Sequence, residues 1–319
     1  MKAAVVEALD RSPRYVEFAD PAAGDGEARV KVGAAGLHQI VRSLAGGKHY
    51  RSADDLPFVP GVDGVGRLDD GTRVYFGPTR PPYGSFADYS ITQPWLCVPL
   101  PDALDDVTAA ALANPAMSAR AALMRAKFVA GESVLILGAT GVAGQLAVQM
   151  ARRLGANKVV AAGRNPHALA KLRTLGADTV ISLEQAEPAL VESFRAAMAE
   201  ANADVVLDYL WGTPAECLLR AIARQGPGRA ASRIRHVQIG SMAGEALSLS
   251  AATLRGSGLE LLGSGFGSAS VDELLKAVRE LFAEAAQKPF ALAAEAVPLS
   301  EVGSAWNRRE SGVRLVFVP

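Results

Sequence analysis

The chain has 319 residues, of which 50% are hydrophobic, and its 33 basic and 33 acidic side chains cancel to no formal net charge. A neutral chain offers no basic field to nucleic acid or to an anionic membrane, so neither is expected as a partner. Two cysteines, Cys97 and Cys217, are too few for a disulfide framework, and the N-terminus becomes charged too early for a signal peptide. These properties predict a cytoplasmic α/β protein of two domains.

The first 110 residues contain short strand patterns separated by turns. An Asp-Gly pair at residues 70–71 marks a hairpin turn between two of these patterns. The pattern as a whole predicts a β-rich module that folds as a partly open barrel. Its strands are predicted at residues 2–7, 28–33, 58–66, 73–77 and 85–91.

A glycine-rich turn joins an apolar strand to a helix in the middle of the chain. Residues 134–137 form the strand, Gly138, Gly141 and Gly144 punctuate the turn, and residues 145–154 have helical periodicity. A helix N-terminus offers free N–H groups and a positive dipole end to a pyrophosphate, and glycines let the backbone come close to it. The pattern is typical of the first βαβ unit of a dinucleotide-binding fold.

The end of the following strand indicates which dinucleotide is bound. NAD enzymes usually place Asp or Glu about 20 residues after the turn, where the carboxylate binds the ribose 2′-hydroxyl. Here Gly163, Arg164 and Asn165 occupy that position and supply no carboxylate. A guanidinium suits a 2′-phosphate by charge and by bidentate geometry, so NADP(H) is predicted rather than NAD. The alternative is that Arg164 is a solvated loop residue.

From residue 114 onward, strand and helix patterns alternate. The strands are predicted at residues 134–137, 158–162, 179–182, 204–209, 235–239 and 259–263. Six strands with crossover helices predict a doubly wound parallel sheet of the Rossmann type. We assign residues 114–265 to this NADP-binding domain. Residues 1–113 and 266–319 then form a catalytic domain that is built from both ends of the chain.

Four segments resemble, in the same order, segments of the medium-chain dehydrogenase/reductase superfamily. They are PGVDGVG at residues 60–66, YGSFADYSIT at 83–92, NPAMSARAAL at 114–123 and VPLSEVGSAW at 297–306. The resemblance implies a GroES-like catalytic domain, which is a partly open barrel, together with a Rossmann domain.

The zinc enzymes of this superfamily carry a His-Glu pair where this chain has Val62 and Asp63, and residues 36–38 lack their thiol. Zinc needs three protein ligands in a tight set, and a set of His38, His49 and Asp63 matches no familiar spacing. The chain therefore resembles the zinc-independent branch, the quinone oxidoreductases of the zeta-crystallin type, and no metal is expected. That branch implies direct hydride transfer from NADPH to a quinone or an α,β-unsaturated carbonyl.

The resemblance also implies two catalytic residues, His38 and Tyr50. His38 stands where quinone reductases carry an Asn, while Val41 replaces their Asp. Tyr50, or the adjacent His49, falls near their Tyr and is placed to polarise a carbonyl. The alternative for His38 is a hydrogen-bonded structural histidine, and Asp63 is interpreted as a structural acceptor.

The implied cofactor contacts lie at the domain crossover and in the turns that follow the Rossmann strands. Residues 140–144 are expected at the pyrophosphate, residues 163–165 at the adenosine phosphate, and the loops after the fifth and sixth strands at the nicotinamide. The residues are Asn114, Ser118, Thr140, Gly141, Val142, Ala143, Gly144, Gly163, Arg164, Asn165, Tyr209, Gly240, Ser241, Met242, Gly265, Phe266 and Gly267.

Relatives commonly pair along the last strand of the nucleotide sheet, so residues 259–263 are a candidate homodimer interface. Two other functions stay open. Val41 and the lack of an unambiguous acid allow a sensor or structural protein that binds NADPH with little or no turnover. An alcohol dehydrogenase with an unorthodox metal site is the other alternative.

Overall fold

The structure, a computed structural model, describes residues 1–52, 55–223, 232–265, 267–308 and 312–319. The described residues divide into two compact units: residues 1–115 with 275–319, and residues 116–274. No helix in these ranges is long and apolar enough to span a membrane.

The strands and helices follow one another along the chain in three groups. The first group is β1 (Lys2–Val5), β2 (Arg14–Glu17), β3 (Ala28–Gly36), α1 (Gln39–Ala45), β4 (Gly64–Leu68), β5 (Arg73–Phe76), β6 (Tyr89–Thr92), β7 (Val98–Pro99) and α2 (Asp106–Arg125). The second is β8 (Val134–Leu137), α3 (Val142–Arg153), β9 (Val159–Gly163), α4 (Pro166–Leu175), β10 (Thr179–Ser182), α5 (Glu187–Ala201), β11 (Val205–Asp208) and α6 (Gly212–Ile222). The third is β12 (Arg233–Gln238), α7 (Ala251–Gly256), β13 (Gly258–Gly263), α8 (Val271–Gln287), β14 (Ala293–Pro298), α9 (Val302–Ala305) and β15 (Val313–Val318).

The first unit is a β-rich module to which both chain ends contribute. Its larger sheet has the order β14-β15-β3-β4-β5-β7, with β6 also paired to β3, while β1 and β2 form a separate antiparallel pair. Phe86, from the N-terminal part, contacts Phe317 and Trp306, from the C-terminal part, edge to face at centroid distances of 5.1 and 6.3 Å. These buried rings join the two chain segments in one core.

The second unit is a parallel sheet with the strand order β10-β9-β8-β11-β12-β13. Its central strands β8, β9 and β11 are short, mainly apolar runs because crossover helices cover a parallel sheet on both faces. β8 and β11 are both buried along their whole length. The strand order reverses between β8 and β11, and the crevice at such a switch point is where open α/β sheets bind ligands. The prediction of a Rossmann sheet together with a β-rich barrel module is confirmed.

Element bounds differ from the predicted ones at a few places. α3 begins at Val142, directly after the turn, because small residues in its first turn hide the helical periodicity. Only β6 remains of the strand predicted at residues 85–91. β2 was not predicted, since its half-buried and exposed residues show no apolar alternation. The two-residue β7 is too short to leave a pattern.

Candidate functional site

The glycine turn positions the N-terminus of α3 at the end of β8. Gly138 has φ of +85°, a conformation that favours glycine, and Gly141 is the N-cap of the helix. Within the described residues no side chain caps this helix start. The N–H groups of Val142, Ala143 and Gly144 belong to the first turn of α3, where no intrahelical acceptor exists. They are available to an anion.

Two glycines keep this turn close to the sheet. A Cβ at position 144 would lie 2.5 Å from Cα of Ala139 and would collide with the carbonyl oxygen of Gly138. A Cβ at position 163, at the end of β9, would lie 2.8 Å from Oγ1 of Thr140. By contrast, a Cβ on Gly141 would meet only the Gly138 oxygen, at 3.7 Å. The turn is therefore packed against the sheet and open in front of the helix, which fits a bound pyrophosphate.

Arg164 and Asn165 follow β9 directly. The Oδ1 atom of Asn165 accepts a hydrogen bond from the N–H of Ala168 at 3.0 Å and caps α4, so this oxygen has a structural role. Arg164 is exposed, and within the described residues no carboxylate pairs with it. The guanidinium is therefore accessible to a ligand on the β9 side of the switch point.

Tyr209 and Ser118 come together on the other side of the switch point. Tyr209 follows β11, and a Cβ on Gly138 would lie 3.3 Å from the Cβ of Tyr209. Burial raises the pKa of the Tyr209 phenol, and the nearby Ser118 side chain opposes the rise. The phenol is therefore protonated at neutral pH.

The loop after β12 attaches to the end of β11. The N–H of Gly240 donates to the carbonyl oxygen of Asp208 at 3.1 Å, and that of Met242 donates to the oxygen of Tyr209 at 3.4 Å. A Cβ at position 240 would lie 2.9 Å from the Tyr209 oxygen, so this approach requires glycine. Ser241 and Met242 are exposed, and 59% of the Met242 surface is accessible.

The loop after β13 begins beside the end of β12. The N–H of Ser264 donates to the carbonyl oxygen of Gln238 at 2.8 Å. Gly265 donates to the Ser268 hydroxyl at 2.7 Å, and Gly267 has φ of +98°. Phe266, predicted to contact the cofactor, lies outside the described residues.

The first unit contains a buried polar cluster around Asp63. The Tyr75 hydroxyl donates to Oδ2 of Asp63 at 2.7 Å, and the Asn114 side chain also hydrogen-bonds to this carboxyl. Nε2 of His38 lies 3.5 Å from Oδ1 of Asp63. His38 is 2% exposed, and within the described residues neither of its ring nitrogens has a hydrogen-bond partner.

Burial controls the protonation of this cluster. It raises the pKa of Asp63 from 3.8 to about 6, against the opposing effects of the Tyr75 hydrogen bond and of Arg314. It lowers the pKa of His38 well below 6.5, and the charge of Arg314 adds to this effect. The imidazole is therefore neutral at pH 7, with one nitrogen as donor and the other as acceptor.

The two predicted catalytic residues have different environments. Tyr50 is 73% exposed and stacks on His49 with a centroid distance of 4.2 Å, whereas His38 is buried. Tyr75 was not predicted as a partner of Asp63. A tyrosine between Val74 and Phe76 in strand β5 was the available signal, because a buried hydroxyl requires an acceptor.

Comparison with known proteins places this geometry in a family. A family model described as "zinc-binding dehydrogenase" matches residues 142–283. A probable NADPH-dependent quinone reductase of Emericella nidulans is 30% identical over an alignment 353 positions long, which covers 96% of each chain. The NADPH-dependent alkenal/one oxidoreductase of Arabidopsis thaliana is 32% identical over 170 residues, which are 48% of this chain and 44% of that protein.

Among solved structures, the quinone oxidoreductase of Thermus thermophilus, whose structure was also determined with NADPH, is 28% identical. It has a TM-score of 0.82 with full coverage of both chains. The chain belongs to the medium-chain dehydrogenase/reductase superfamily. The match over nearly the whole length places it in the quinone oxidoreductase branch, as the sequence motifs predicted.

Side chains that could bind zinc do not cluster in the described ranges of this chain. No three His, Cys, Asp or Glu side chains in these ranges come together as a metal-binding group. Asp63 contacts Tyr75, Asn114 and His38, which are a phenol, an amide and an imidazole. Two of these three groups are not zinc ligands in proteins.

The packing of the glycine turn predicts opposite effects for two alanine substitutions. Gly144→Ala places a methyl group against backbone and should lower the free energy of unfolding by about 1–3 kcal/mol. Gly141→Ala places the same group in open space and should change the stability by less than about 0.5 kcal/mol. Urea denaturation of both variants tests this. Equal stability of the two variants would contradict the packing.

The buried imidazole predicts a pH-dependent stability. Because the pKa of His38 is lowered on folding, the unfolded state binds a proton more readily, and stability is lost as the pH falls below 6.5. The advantage of wild type over His38→Asn should shrink with a slope of up to about 1.4 kcal/mol per pH unit. Denaturation curves between about pH 8 and pH 5 measure it. His167→Asn, at an exposed position, is the control, and a pH-independent difference would refute the assignment.

Proposed function

We propose that the protein is an NADPH-dependent oxidoreductase that transfers hydride directly to a quinone or an α,β-unsaturated carbonyl, without zinc. The observation that carries the proposal is the uncapped, glycine-lined N-terminus of α3 beside a strand end with Arg164 and no carboxylate. The printed names of the relatives, an NADPH-dependent quinone reductase and an alkenal/one oxidoreductase, support the same cofactor and acceptor classes.

Each side of the switch point has a role in cofactor binding. The N–H groups of residues 142–144 bind the pyrophosphate, with Thr140 and Gly141 beside them, and Arg164 pairs with the 2′-phosphate at the end bounded by Gly163 and Asn165. Ser118, Tyr209, Gly240, Ser241 and Met242 surround the nicotinamide, together with the glycines at 265 and 267. The predicted Rossmann domain, residues 114–265, is thus the NADP-binding domain, and the barrel module is the substrate domain.

The bound cofactor supplies the hydride, so this chain has to orient the acceptor and polarise its oxygen. Neutral His38 can donate one N–H to that oxygen, since no described residue accepts it. Tyr50, the second proposed donor, is exposed and can approach an acceptor that enters from solvent. A reduced quinone or an enolate takes its proton from water or from such a donor.

The direct test of the proposal is NADPH oxidation with a panel of small quinones and enones, with NADH as comparison. Turnover that prefers NADPH supports the proposal. Tight NADPH binding without turnover of any acceptor would instead identify a sensor. Metal analysis of the purified protein, with turnover before and after chelation, tests the alternative of a metal-dependent alcohol dehydrogenase.

The assignment of Arg164 predicts a loss of cofactor selectivity. Arg164→Glu removes a charge-assisted contact to the 2′-phosphate and adds repulsion, so the Kd for NADPH should rise about 100-fold, or about 3 kcal/mol. The Kd for NADH should change little. Titration calorimetry measures both constants. Lys171→Glu, an equal charge change on exposed α4, is the control, and an unchanged NADPH affinity of Arg164→Glu would eliminate Arg164 as the selector.

We further propose that the protein is a homodimer that pairs along β13. This strand is an edge of the parallel sheet, and its Leu261 is 39% exposed. An exposed edge with an apolar side chain favours pairing with a second strand. The chain has a mass of 33.2 kDa, so light scattering should give twice that value.

Leu261→Arg should shift the protein to the monomer, because a charge would be buried against the partner strand. Light scattering coupled to size-exclusion chromatography measures the shift. Val129→Arg, at an exposed apolar residue of the same unit, is the control and should stay dimeric. A Leu261→Arg variant that remains dimeric would refute pairing at this edge.

We also propose a cytoplasmic location. Both cysteines, Cys97 and Cys217, are free thiols, as in proteins of reducing compartments. NADPH, the proposed cofactor, is also an intracellular reductant. Fractionation of cells that express the protein tests the proposal.

A further inference from the structure

A buried carboxylate and imidazole connect two neighbouring strands of the second unit. Oδ2 of Asp208, at the end of β11, lies 2.8 Å from Nε2 of His236, in the middle of β12. Both side chains are 0% exposed. Burial of such a pair costs solvation, and a well-packed apolar pair is often as stable or more so. The presence of this pair therefore calls for an explanation other than stability.

The other carboxylate oxygen of Asp208 holds the backbone that follows β11. Oδ1 accepts hydrogen bonds from the N–H groups of Leu210 at 2.8 Å and Trp211 at 2.9 Å. Trp211 has φ of 56° and ψ of −158°, a region that is populated almost only by glycine. Its ring also meets the His236 ring edge to face, at a centroid distance of 6.0 Å. Asp208 and His236 thus stabilise a strained residue from two sides.

The same backbone carries the loop after β12. The N–H of Ile239 donates to the Asp208 carbonyl oxygen at 2.7 Å, and the N–H of Ala243 donates to the Leu210 oxygen at 2.8 Å. Any shift of residues 208–211 is therefore transmitted to residues 239–243. The Asp208 carboxylate therefore fixes both the loop after β11 and the loop after β12.

These loops lie at the switch point of the sheet. Leu210 is the nearest neighbour that a Cβ on Gly138 would meet, at 3.1 Å, so the end of β11 borders the glycine turn. A dinucleotide binds across this crevice, with its pyrophosphate at the helix N-terminus and one half on each strand side. Arg164, the proposed partner of the 2′-phosphate, follows β9, so the adenosine half lies on the β9 side. The nicotinamide half then lies on the β11–β12 side.

We propose that Asp208 and His236 are positioning residues for the nicotinamide half of the cofactor. They act through the backbone of residues 209–211 and 239–243, without touching the cofactor themselves. The inference rests on the proposed function, because it assumes an NADPH site at this switch point. A strained backbone residue that is stabilised by a buried polar pair beside a binding crevice is expected in a preorganised site.

The test compares His236→Phe with His236→Gln in the full-length protein. Phenylalanine keeps the ring against Trp211 but removes the hydrogen bond to Asp208, whereas the glutamine amide can restore that bond. His236→Phe should lower kcat with a quinone at least about tenfold, since small misplacements of a reacting group cost that much or more. His236→Gln should recover most of the loss.

Two binding measurements separate positioning from general damage. Affinity for 2′,5′-ADP, which lacks the nicotinamide, should stay within about twofold of wild type in His236→Phe, because its contacts lie on the β9 side. The fluorescence of bound NADPH should shift toward that of free NADPH, because the nicotinamide environment changes.

Glu132→Gln is the matched control. Glu132 accepts a hydrogen bond at 2.5 Å from Arg235, which neighbours His236 in β12 and is likewise buried. Glu132 lies just before β8, at the end of the sheet away from the switch point, and Arg235 also donates to the Ala126 carbonyl oxygen. Glu132→Gln should lower the Tm and leave kcat and bound-NADPH fluorescence unchanged.

The outcomes distinguish a failure of the positioning role from a failure of the proposed function. A His236→Phe variant that keeps wild-type kcat and wild-type fluorescence of bound NADPH would overturn the positioning role. Losses of kcat and fluorescence in Glu132→Gln equal to those in His236→Phe would overturn it as well. Loss of 2′,5′-ADP binding in His236→Phe would also overturn it, since the pair would then support the whole sheet. If the wild-type protein binds neither 2′,5′-ADP nor NADPH, the proposed function itself fails, and this inference fails with it.

Discussion

The close approach of helix α3 to the end of strand β8 is the constraint on which the nucleotide-binding unit depends. Gly144 lets the first turn of the helix lie against the backbone of residues 138–139, where any side chain would collide. This contact points the free N–H groups of the helix at the crevice where the strand order reverses. The loops after β9, β11 and β12 then surround the same crevice, because parallel strands all end at one edge of the sheet.

Both units bury polar groups whose arrangement is specific and costly. In the barrel module, Asp63 is held by Tyr75 and Asn114 beside a His38 that has no hydrogen-bond partner among the described residues. In the nucleotide unit, Asp208 and His236 hold a strained tryptophan. Partly satisfied polar clusters lower stability, so their presence in both units is better explained by binding and chemistry than by folding.

Local patterns were sufficient to predict the fold. The apolar run at 134–137 coincides with β8, and the strand at 179–182 also has the predicted bounds, because turn residues delimit each run. β2 was missed because its residues are only half buried. Pairings between distant strands could not be predicted. His236 meets Asp208 only through the register of β11 on β12, which no local pattern encodes.

The central claim is direct hydride transfer from NADPH to an electron-poor carbon, and isotope transfer tests it most directly. The protein is given an enone with NADPH deuterated on one face of nicotinamide C4 or on the other, and the product is examined by mass spectrometry and NMR. We predict one deuterium at the β-carbon from only one of the two labelled cofactors, with the α-proton coming from solvent. Deuterium transfer from neither cofactor, or a β-hydrogen that comes from solvent, would contradict the account.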